Sequence, residues 1–417
     1  MDGVLGLPSL QTILPATYRP IVVICIGIWG WAFSLLILIR SHMDPASILQ
    51  IHPDKNVNLH NPIFAIASVL TCIITLNLWF CYHYGTPSSW FPLITYLAAF
   101  IMILWPGKGF YRKERTRFLR VLRRLFSLNI FAPVFFSDII LADILTSLSN
   151  VFGDLFTTLC VILAGQDATL EKTQVDYHRD VFLPILISIP YFIRLRQCTS
   201  EYIDSNRKTK RHLFNALKYA SAFPVILLSA AQKRAAMYVA ETGSVPKSWW
   251  IGETNIFRLW MAFVFFNSMY SFWWDISMDW NLVHITQGGT GGKLGSVLSV
   301  PTVRIRRHLH FSQPMLYILA TAIDFLLRTT WSMKLSSHLF VKKLENSIFL
   351  VELLEVIRRW IWVIFRMESE WVKRNQISLP SHRNDHDPIR MDLLDRGKLT
   401  PISEEDDDGD DNDNQTI

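Results

Sequence analysis

Residues 351–366 form a stretch that is apolar enough to lie in a membrane, yet it contains two carboxylates and three guanidinium groups. At helical spacing Glu355 and Arg359 lie on one face, so we predict that they partly neutralise each other. Arg358 is displaced by about 100° around the helix, which leaves one guanidinium over. Because a charge in hydrocarbon costs ~3 kcal/mol on insertion scales, this arrangement predicts an anion or a water-filled cavity facing the arginines.

A second apolar segment, 138–163, carries polar side chains at steps that keep them near one helical face. These side chains are Asp143, Thr146, Ser147, Asn150 and Asp154. Hydrogen bonding between membrane helices is the alternative interpretation, and it suits small hydroxyl side chains better than it suits two aspartates. We therefore predict a functional polar stripe through this helix.

Two further apolar segments have mixed charges. One contains Asn215, Lys218 and Tyr219, and the other places Asp324, Arg328 and Trp331 at positions i, i+4 and i+7. Lys218 could instead extend its amine towards the membrane interface, as lysines near helix ends do. The planar fork of arginine suits bidentate binding of phosphate, which makes Arg328 a candidate anion ligand.

The segment 273–280 combines tryptophans with Asp275 and Asp279, four residues apart. Tryptophans at the end of an apolar segment are typical of an aromatic belt at the membrane interface, and we interpret them so. The two aspartates are expected to counter the arginines or to cap a gate.

The composition is that of a membrane protein, with half of the 417 residues hydrophobic and with 15 Trp and 27 Phe. We predict an all-α fold, a polytopic helical bundle of about nine transmembrane helices, because windows of near-spanning length recur along the chain. The predicted spans are 20–39, 63–84, 90–105, 138–163, 181–193, 213–231, 256–274, 315–333 and 349–365.

The remaining segments complete the domain prediction: a lumenal N-terminus at 1–19, a membrane domain at 20–374 and a disordered acidic tail at 375–417. Basic loops after the third and fifth spans, the second beginning at Arg194, place those loops and the tail in the cytoplasm. In the first basic loop, apolar residues between arginines predict an amphipathic helix on the anionic leaflet. A nucleic-acid surface is disfavoured, because the basic residues follow the positive-inside pattern.

The sequence contains no complete motif for catalysis or cofactor binding. The glycine-rich segment 288–295 lacks the spacing of a phosphate-binding loop, and no nucleophile elbow or full intramembrane aspartyl protease motif is present. We therefore expect no enzymatic activity, no cofactor and no metal. A lipid-modifying enzyme that uses the membrane aspartates has no motif to support it.

Six ordered blocks, over roughly residues 60–372, resemble the successive motifs of the EXS domain family. They are DILTSLS at 143–149, RLRQC at 194–198, NALKY at 215–219, WDISMDW at 274–280, LRTTW at 327–331, and LEVIRR at 354–359 followed by FRME at 365–368. We expect no SPX domain of the kind that family exporters carry. A chain of this form is similar to the fungal ER-retention-defective proteins.

That resemblance implies a Golgi membrane protein that returns lumenal inorganic phosphate, a by-product of glycosylation, to the cytosol, and so supports retention of ER residents and recycling of glycosyltransferases. The phosphate ligands of the exporters match Asp143, Lys218, Tyr219, Arg328, Trp331, Arg358 and Arg359, with Thr146 where the exporters have Asn. Supporting charges are expected from Asp275, Asp279, Asp324 and Glu355. The alternative is a membrane adaptor that sorts Golgi enzymes without transport.

The expected partners are inorganic phosphate and membrane lipids. Golgi glycosyltransferase-sorting proteins, and a second copy of the chain in a homodimer, are further candidates, and no nucleic acid is expected. Since no ATP-binding motif is visible, transport should run down the electrochemical gradient.

Overall fold

The computed structural model describes residues 14–51, 58–84, 90–105, 107, 109, 111–163, 177–243, 253–287, 301–306, 308–330 and 346–378. After a 3₁₀ turn at Ala16–Tyr18, the first half forms α1 (Arg19–Arg40), α2 (Pro45–Ile48), α3 (Asn61–Tyr84), α4 (Trp90–Leu104), α5 (Arg112–Leu125), α6 (Phe136–Ser147) and α7 (Ser149–Leu163). The second half forms α8 (Tyr177–Asp204), α9 (Lys210–Ala220), α10 (Ala222–Thr242), α11 (Glu253–Trp274), a π-helical turn (Asp275–Asp279), β1 (Val283–Gln287), β2 (Pro301–Ile305), α12 (Pro314–Thr330) and α13 (Asn346–Ser378).

The prediction of a helical membrane bundle is confirmed in outline. Among the described residues, four helical stretches are long and apolar enough to cross a membrane: Ala16–Arg40, Asn61–Tyr84, Val181–Asp204 and Lys210–Ala235. The bent pair α6 and α7 adds a fifth if it counts as one span. The predicted number of about nine spans is not confirmed, since helices such as α13 carry too many charges in their apolar part to pass by composition.

A short antiparallel sheet is the one addition to the predicted all-α class in the described chain. Strand β1 pairs with β2 in the register Val283↔Ile305. The pairing fits the β-branched side chains of both strands, which lose less freedom in an extended backbone than in a helix. The glycine-rich segment 288–300 between them lies outside the described residues.

The fourth predicted span is broken rather than continuous, because α6 and α7 meet at Leu148 with a bend of 61°. At this point the Thr146 hydroxyl donates to the Asp143 carbonyl at 2.8 Å. Hydroxyl side chains that bond nearby carbonyls compete with the helix ladder and bend helices. The bend places Asn150 and Asp154 on a different helix from Asp143, so the prediction of one continuous polar stripe is wrong.

Helix α13 packs against α1, α6 and α12 and contributes to the largest buried cluster. Trp274 and Trp280 are 2% and 1% exposed, so the prediction that the tryptophans form an interfacial belt is wrong for these two. The Trp280 ring packs against Phe365 of α13, and the Trp274 ring lies 5.8 Å from Lys218 Nζ. Only Trp273, at 40% exposure, keeps an outward position.

The structure describes only part of the predicted terminal segments. Helix α13 continues to Ser378, so the predicted start of the tail at 375 falls inside a helix. Residues 1–13 and 379–417 lie outside the described residues, and most of the acidic tail is among them.

Candidate functional site

Buried and partly buried charged side chains from five helices and the π-helical turn meet in the interior of the bundle. We call them the central charge cluster, and its members are Asp143 on α6, Arg194 on α8, Lys218 on α9, Asp275 on the π-helical turn, Asp324 and Arg328 on α12, and Glu355, Arg358 and Arg359 on α13. Isolated buried charges are strongly unfavourable, so their assembly from distant parts of the sequence indicates that each depends on the others.

Asp275 lies at the centre of the cluster, with its side chain 1% exposed. It accepts a hydrogen bond from Arg328, and its oxygens lie 3.7 Å from Lys218 Nζ and 3.6 Å from Arg358 Nη1. The π-helical turn begins at this residue, and the Trp280 amide donates to the Asp275 carbonyl at 2.8 Å. Such wide turns are frequent at functional sites, because they change which side chains a helix points inward.

The Lys218 side chain points into the protein and not towards the membrane interface. Its Nζ lies 3.4 Å from Asp279 Oδ2 and 4.9 Å from the centre of the Tyr219 ring. The helix breaks three residues later, where the Ser221 hydroxyl donates to the Lys218 carbonyl at 2.8 Å. The snorkelling interpretation of Lys218 is therefore wrong, and the amine belongs to the cluster.

The pair on α12 forms as the spacing predicts. Arg328 Nε donates to Asp324 Oδ2 at 3.3 Å, one turn of helix away. The other oxygen of Asp324 accepts from Arg358 Nη1 at 3.2 Å, which connects α12 to α13. Each of these guanidinium groups is thus held by carboxylates.

On α13 the pairing differs from the prediction. Glu355 accepts from Arg358, through Nε at 3.0 Å and through a second bond from Nη2, and Arg359 takes no part in this pair. A residue three positions along a helix is as close as one four positions along, so sequence spacing did not decide between them. One guanidinium is left over as predicted, and it is Arg359.

Arg359 is bound by hydroxyl groups and by an aromatic ring. Its Nε donates to Ser147 Oγ at 2.7 Å, its Nη2 donates to Thr146 Oγ1 at 3.3 Å, and its guanidinium lies 4.6 Å from the centre of the Trp362 ring. The residue is 8% exposed. Within the described part of the chain, Arg359 forms no ion pair with a carboxylate.

A small cavity of about 20 Å³ adjoins Arg359 between α1, α6 and α13. That is room for about one water molecule. Ser147 also lines it, and its remaining walls are mostly apolar, with Trp31, Ile144 and Val363 among them. The free space in this conformation is smaller than a phosphate ion, so admitting one requires movement of the surrounding helices.

Asp143 is held on the other side of the cluster. Arg194 Nε donates to Asp143 Oδ1 at 2.9 Å, and the Tyr219 hydroxyl donates to the same oxygen at 2.6 Å. Arg194 was predicted to lie in a cytoplasmic loop, but α8 continues to Asp204 and buries this side chain to 2% exposure. Asp143 therefore balances Arg194 directly.

The structure brings together most of the predicted site residues, and Trp331 lies outside the described residues. Asp279 stands between the cluster and Arg366, whose Nε lies 3.7 Å from its Oδ1. The sequence predicted Ser147 as part of the polar stripe but not as a ligand, and it did not place Arg194 at the site. The signal for Arg194 was its place in a conspicuous motif at the end of an apolar segment, and for Ser147 its place on the polar stripe.

The cluster contains five cations and four carboxylates, and Asp279 supplies a fifth carboxylate 3.4 Å from Lys218. Its arginines offer several charge-assisted donors of the kind that bind anions. The carboxylates of the cluster keep the site from being purely positive.

Known proteins are similar to this chain over most of its length. The sequence model of the EXS family matches residues 14–372. Protein ERD1 homolog 1 of Schizosaccharomyces pombe is 26% identical over 391 residues, covering 91% of this chain and 96% of that protein. Protein ERD1 of Kluyveromyces lactis is 28% identical over 318 residues, covering 73% of this chain and 76% of that protein.

A second group of similar proteins is longer. Solute carrier family 53 member 1 of Mus musculus is 29% identical over 364 residues, which is 83% of this chain but 47% of that protein. The chain therefore spans about half the length of this relative.

Proposed function

This chain belongs to the EXS family, and on that basis we propose that it transports inorganic phosphate across the Golgi membrane, from the lumen to the cytosol. The observation that carries the proposal is Arg359, a buried guanidinium whose partners are hydroxyl groups and an aromatic face. A buried cation without a carboxylate is stabilised when an anion arrives, which is the property required of a binding site on a transport route.

Phosphate fits the donors around Arg359. A guanidinium presents two parallel N–H groups to a phosphate. The hydroxyls of Ser147 and Thr146 lie beside it, and each donates its proton elsewhere, to Glu355 Oε1 at 2.9 Å and to the Asp143 carbonyl at 2.8 Å. Thr146 stands where the related exporters have Asn, so it supplies one hydroxyl in place of an amide. We propose that this changes the strength of binding and leaves the ion the same.

Neighbouring cations provide the next positions for a moving anion. Arg358, Arg328 and Lys218 are each held by carboxylates, so an anion that reaches them must compete with Asp275, Asp324 or Glu355. That competition keeps binding weak enough for release, as conduction requires. Asp143 and Tyr219 contribute by holding Arg194 and the end of α9 in place.

The direction and compartment are proposed from the sequence resemblance and the positive-inside pattern. Clearing lumenal phosphate would support glycosylation, retention of ER residents and recycling of glycosyltransferases. We further propose that the basic loops and the acidic tail face the cytosol.

The decisive experiment measures flux through the purified protein in liposomes loaded with radioactive phosphate. Arg359→Ala should lower the flux at least tenfold, because it removes a charge-assisted bond worth about 1.5–3 kcal/mol. Arg359→Lys keeps the charge but loses the fork, and it should give an intermediate flux.

The matched control is Arg374→Ala on the same helix, since Arg374 lies outside the cluster and forms a partly exposed pair with Glu370 at 3.2 Å. Its flux should equal that of the wild type. Wild-type flux in a well-expressed Arg328→Ala, Arg359→Ala double variant would overturn the transporter proposal. That result would favour the alternative function, an adaptor that sorts Golgi enzymes.

A further inference from the structure

Outside the central charge cluster, a group of exposed charged and apolar side chains lies on α5 and the loop that follows it. We call it the basic face, and it comprises the exposed cations Arg112, Lys113, Arg120 and Arg123 together with the exposed apolar side chains Phe126, Leu128, Ile130 and Phe131. Leu128 at 79% and Phe131 at 76% are the most exposed large apolar side chains in the described part of the chain. Neither lies on a helix, so neither is explained by the lipid-facing side of a span.

The opposite side of α5 is already occupied by the protein. Leu125 is 1% exposed and packs in a cluster with Ala142 of α6 and Ile193 of α8. Arg115 is 5% exposed and donates to the carbonyls of Met102 and Trp105 at the end of α4. The exposed cations lie within about a third of the helix circumference, so they point away from this packed side.

The apolar loop is held in a fixed shape. Arg196 Nη1 donates to the Asn129 carbonyl at 2.9 Å, and the Phe131 amide donates to the Asn129 side chain at 3.0 Å. The Ser200 hydroxyl donates to the Ala132 carbonyl at 2.8 Å. These hydrogen bonds hold the loop so that Leu128 and Phe131 point outward. Exposure of such apolar side chains to water is unfavourable.

We propose that the basic face docks on the anionic headgroups of the bilayer that the protein spans. Lipid phosphates and carboxylates would contact the cations of α5, while Leu128 and Phe131 enter the edge of the hydrocarbon. The combination of clustered cations with adjacent apolar side chains is the pattern of elements that lie in a membrane interface. Each cation near an anionic surface contributes about fivefold to such binding.

The basic face is joined to the central charge cluster through a short series of contacts. Arg124 of α5 donates to both oxygens of Asp138 at the start of α6, at 2.6 and 3.0 Å. Gln197 donates to the Asp138 carbonyl at 3.2 Å and accepts from Arg194 at 2.5 Å, and Arg194 holds Asp143. Docking of α5 on lipid would therefore bias the position of α6 and of Asp143.

The docking itself can be measured without any transport assay. A Phe131→Cys variant labelled with bimane is placed in liposomes that contain a fixed fraction of brominated phosphatidylcholine, and labelled wild type gives the background of the native cysteines. Quenching should at least double when phosphatidylserine rises from 0 to 20 mol %, and 0.5 M NaCl should reverse most of the gain. An Arg207→Cys label in another exposed loop serves as the reference position.

Two triple variants separate a specific surface from a general charge effect. Arg112→Gln, Arg120→Gln, Arg123→Gln should abolish the phosphatidylserine response, whereas Arg207→Gln, Lys208→Gln, Lys210→Gln should retain it. The proposal would be overturned if both triple variants showed the same response to phosphatidylserine, or if quenching in the wild type did not change with phosphatidylserine. If quenching instead changes on truncation after Ser378 and not with phosphatidylserine, the acidic segment 404–413 is the occupant and the lipid proposal fails.

The coupling to α6 rests on the proposed phosphate transport and is tested separately. Phosphate flux should rise at least twofold with 20 mol % phosphatidylserine in the wild type and stay constant in the Arg112, Arg120, Arg123 triple variant. Quenching that responds while flux does not would retain the docking surface and overturn the coupling. Absence of any flux, with normal quenching, would count against the transport proposal and leave the docking surface standing.

Discussion

Helix α13 takes part in two buried charge clusters of opposite design. Near its end, Arg306 donates to both oxygens of Glu368 at 2.6 Å, and Glu368 is 0% exposed. The Tyr317 hydroxyl and the His310 amide also donate to Glu368, at 2.9 and 3.0 Å. We call this group the clamp. In the central charge cluster, about three turns earlier on the helix, carboxylates are shared between cations and Arg359 has none.

The two groups differ in how many hydrogen-bond partners their charged side chains already have. In the clamp Glu368 accepts four hydrogen bonds, from Arg306 just after β2, from His310 in the following loop and from Tyr317 of α12, and so ties these segments to α13. In the central charge cluster a guanidinium keeps donors that an anion can use. Saturated buried pairs support the fold, whereas unsaturated ones can support binding.

The largest expected effect comes from breaking the clamp. Glu368→Ala leaves the buried Arg306 without its partner and removes the acceptor of two further donors, which should destabilise the protein by about 3–5 kcal/mol. Loss of the monodisperse peak in size-exclusion chromatography would show this. Glu370→Ala, two residues along, should change stability by less than about 1 kcal/mol, because its pair with Arg374 is partly solvated. Equal effects of the two substitutions would contradict the assignment of Glu368 to a structural role.

Within the central charge cluster, neighbouring arginines should behave differently. Arg358→Ala leaves Glu355 and Asp324 less compensated and should cost about 3 kcal/mol or more. Arg359→Ala leaves no carboxylate unpaired and should cost less than about 1.5 kcal/mol, the value of an ordinary hydrogen bond. Thermal unfolding of both variants in detergent tests this. Equal losses would mean that Arg359 is as structural as Arg358.

A third prediction concerns the approach of α1 to α13, which sets the position of Arg359. A methyl group at Gly30 would lie 1.7 Å from Cε2 of the Trp360 ring, so Gly30→Ala should destabilise by about 1–3 kcal/mol. Gly27→Ala on the same helix meets nothing within 4 Å and should be neutral or stabilising by up to about 1 kcal/mol. Unfolding temperatures of the two variants provide the check. Similar temperatures would show that the helices can separate freely.

The smallest effect is expected at Lys373, beyond the predicted span of α13. Burial, with repulsion from Arg211 and Arg366, lowers the pKa of Lys373 to about 7 from its ordinary 10.5. Between these values the unfolded chain holds a proton that the folded chain lacks, so the free energy of unfolding rises with pH, and the penalty is full below about pH 7. Lys373→Met should therefore stabilise the protein by about 1 kcal/mol at pH 6 and by little at pH 10. A gain that is equal at both pH values would contradict this pKa.

Much of the fold could be predicted because it follows from local composition and spacing. The described residues have a helix within every predicted span, and the amphipathic pattern of residues 112–125 gives a helix with Leu125 buried. The break at Leu148, the length of α8 and the sheet of β1 and β2 were not predicted. Each depends on side chains competing with the backbone or on pairing between distant strands, which a local pattern does not record.

The sequence by itself determined that most of these charges, though not Arg194, lie in apolar helices and that one guanidinium of α13 would lack a carboxylate. Only the tertiary structure decided that it is Arg359, that Arg358 takes Glu355 and Asp324, and that Arg194 belongs to Asp143. Positions i+3 and i+4 are equally close along a helix, so the choice of partner depends on which side neighbouring helices occupy. Burial then fixes that choice, since each buried charge must find its partner among the groups the fold brings within reach.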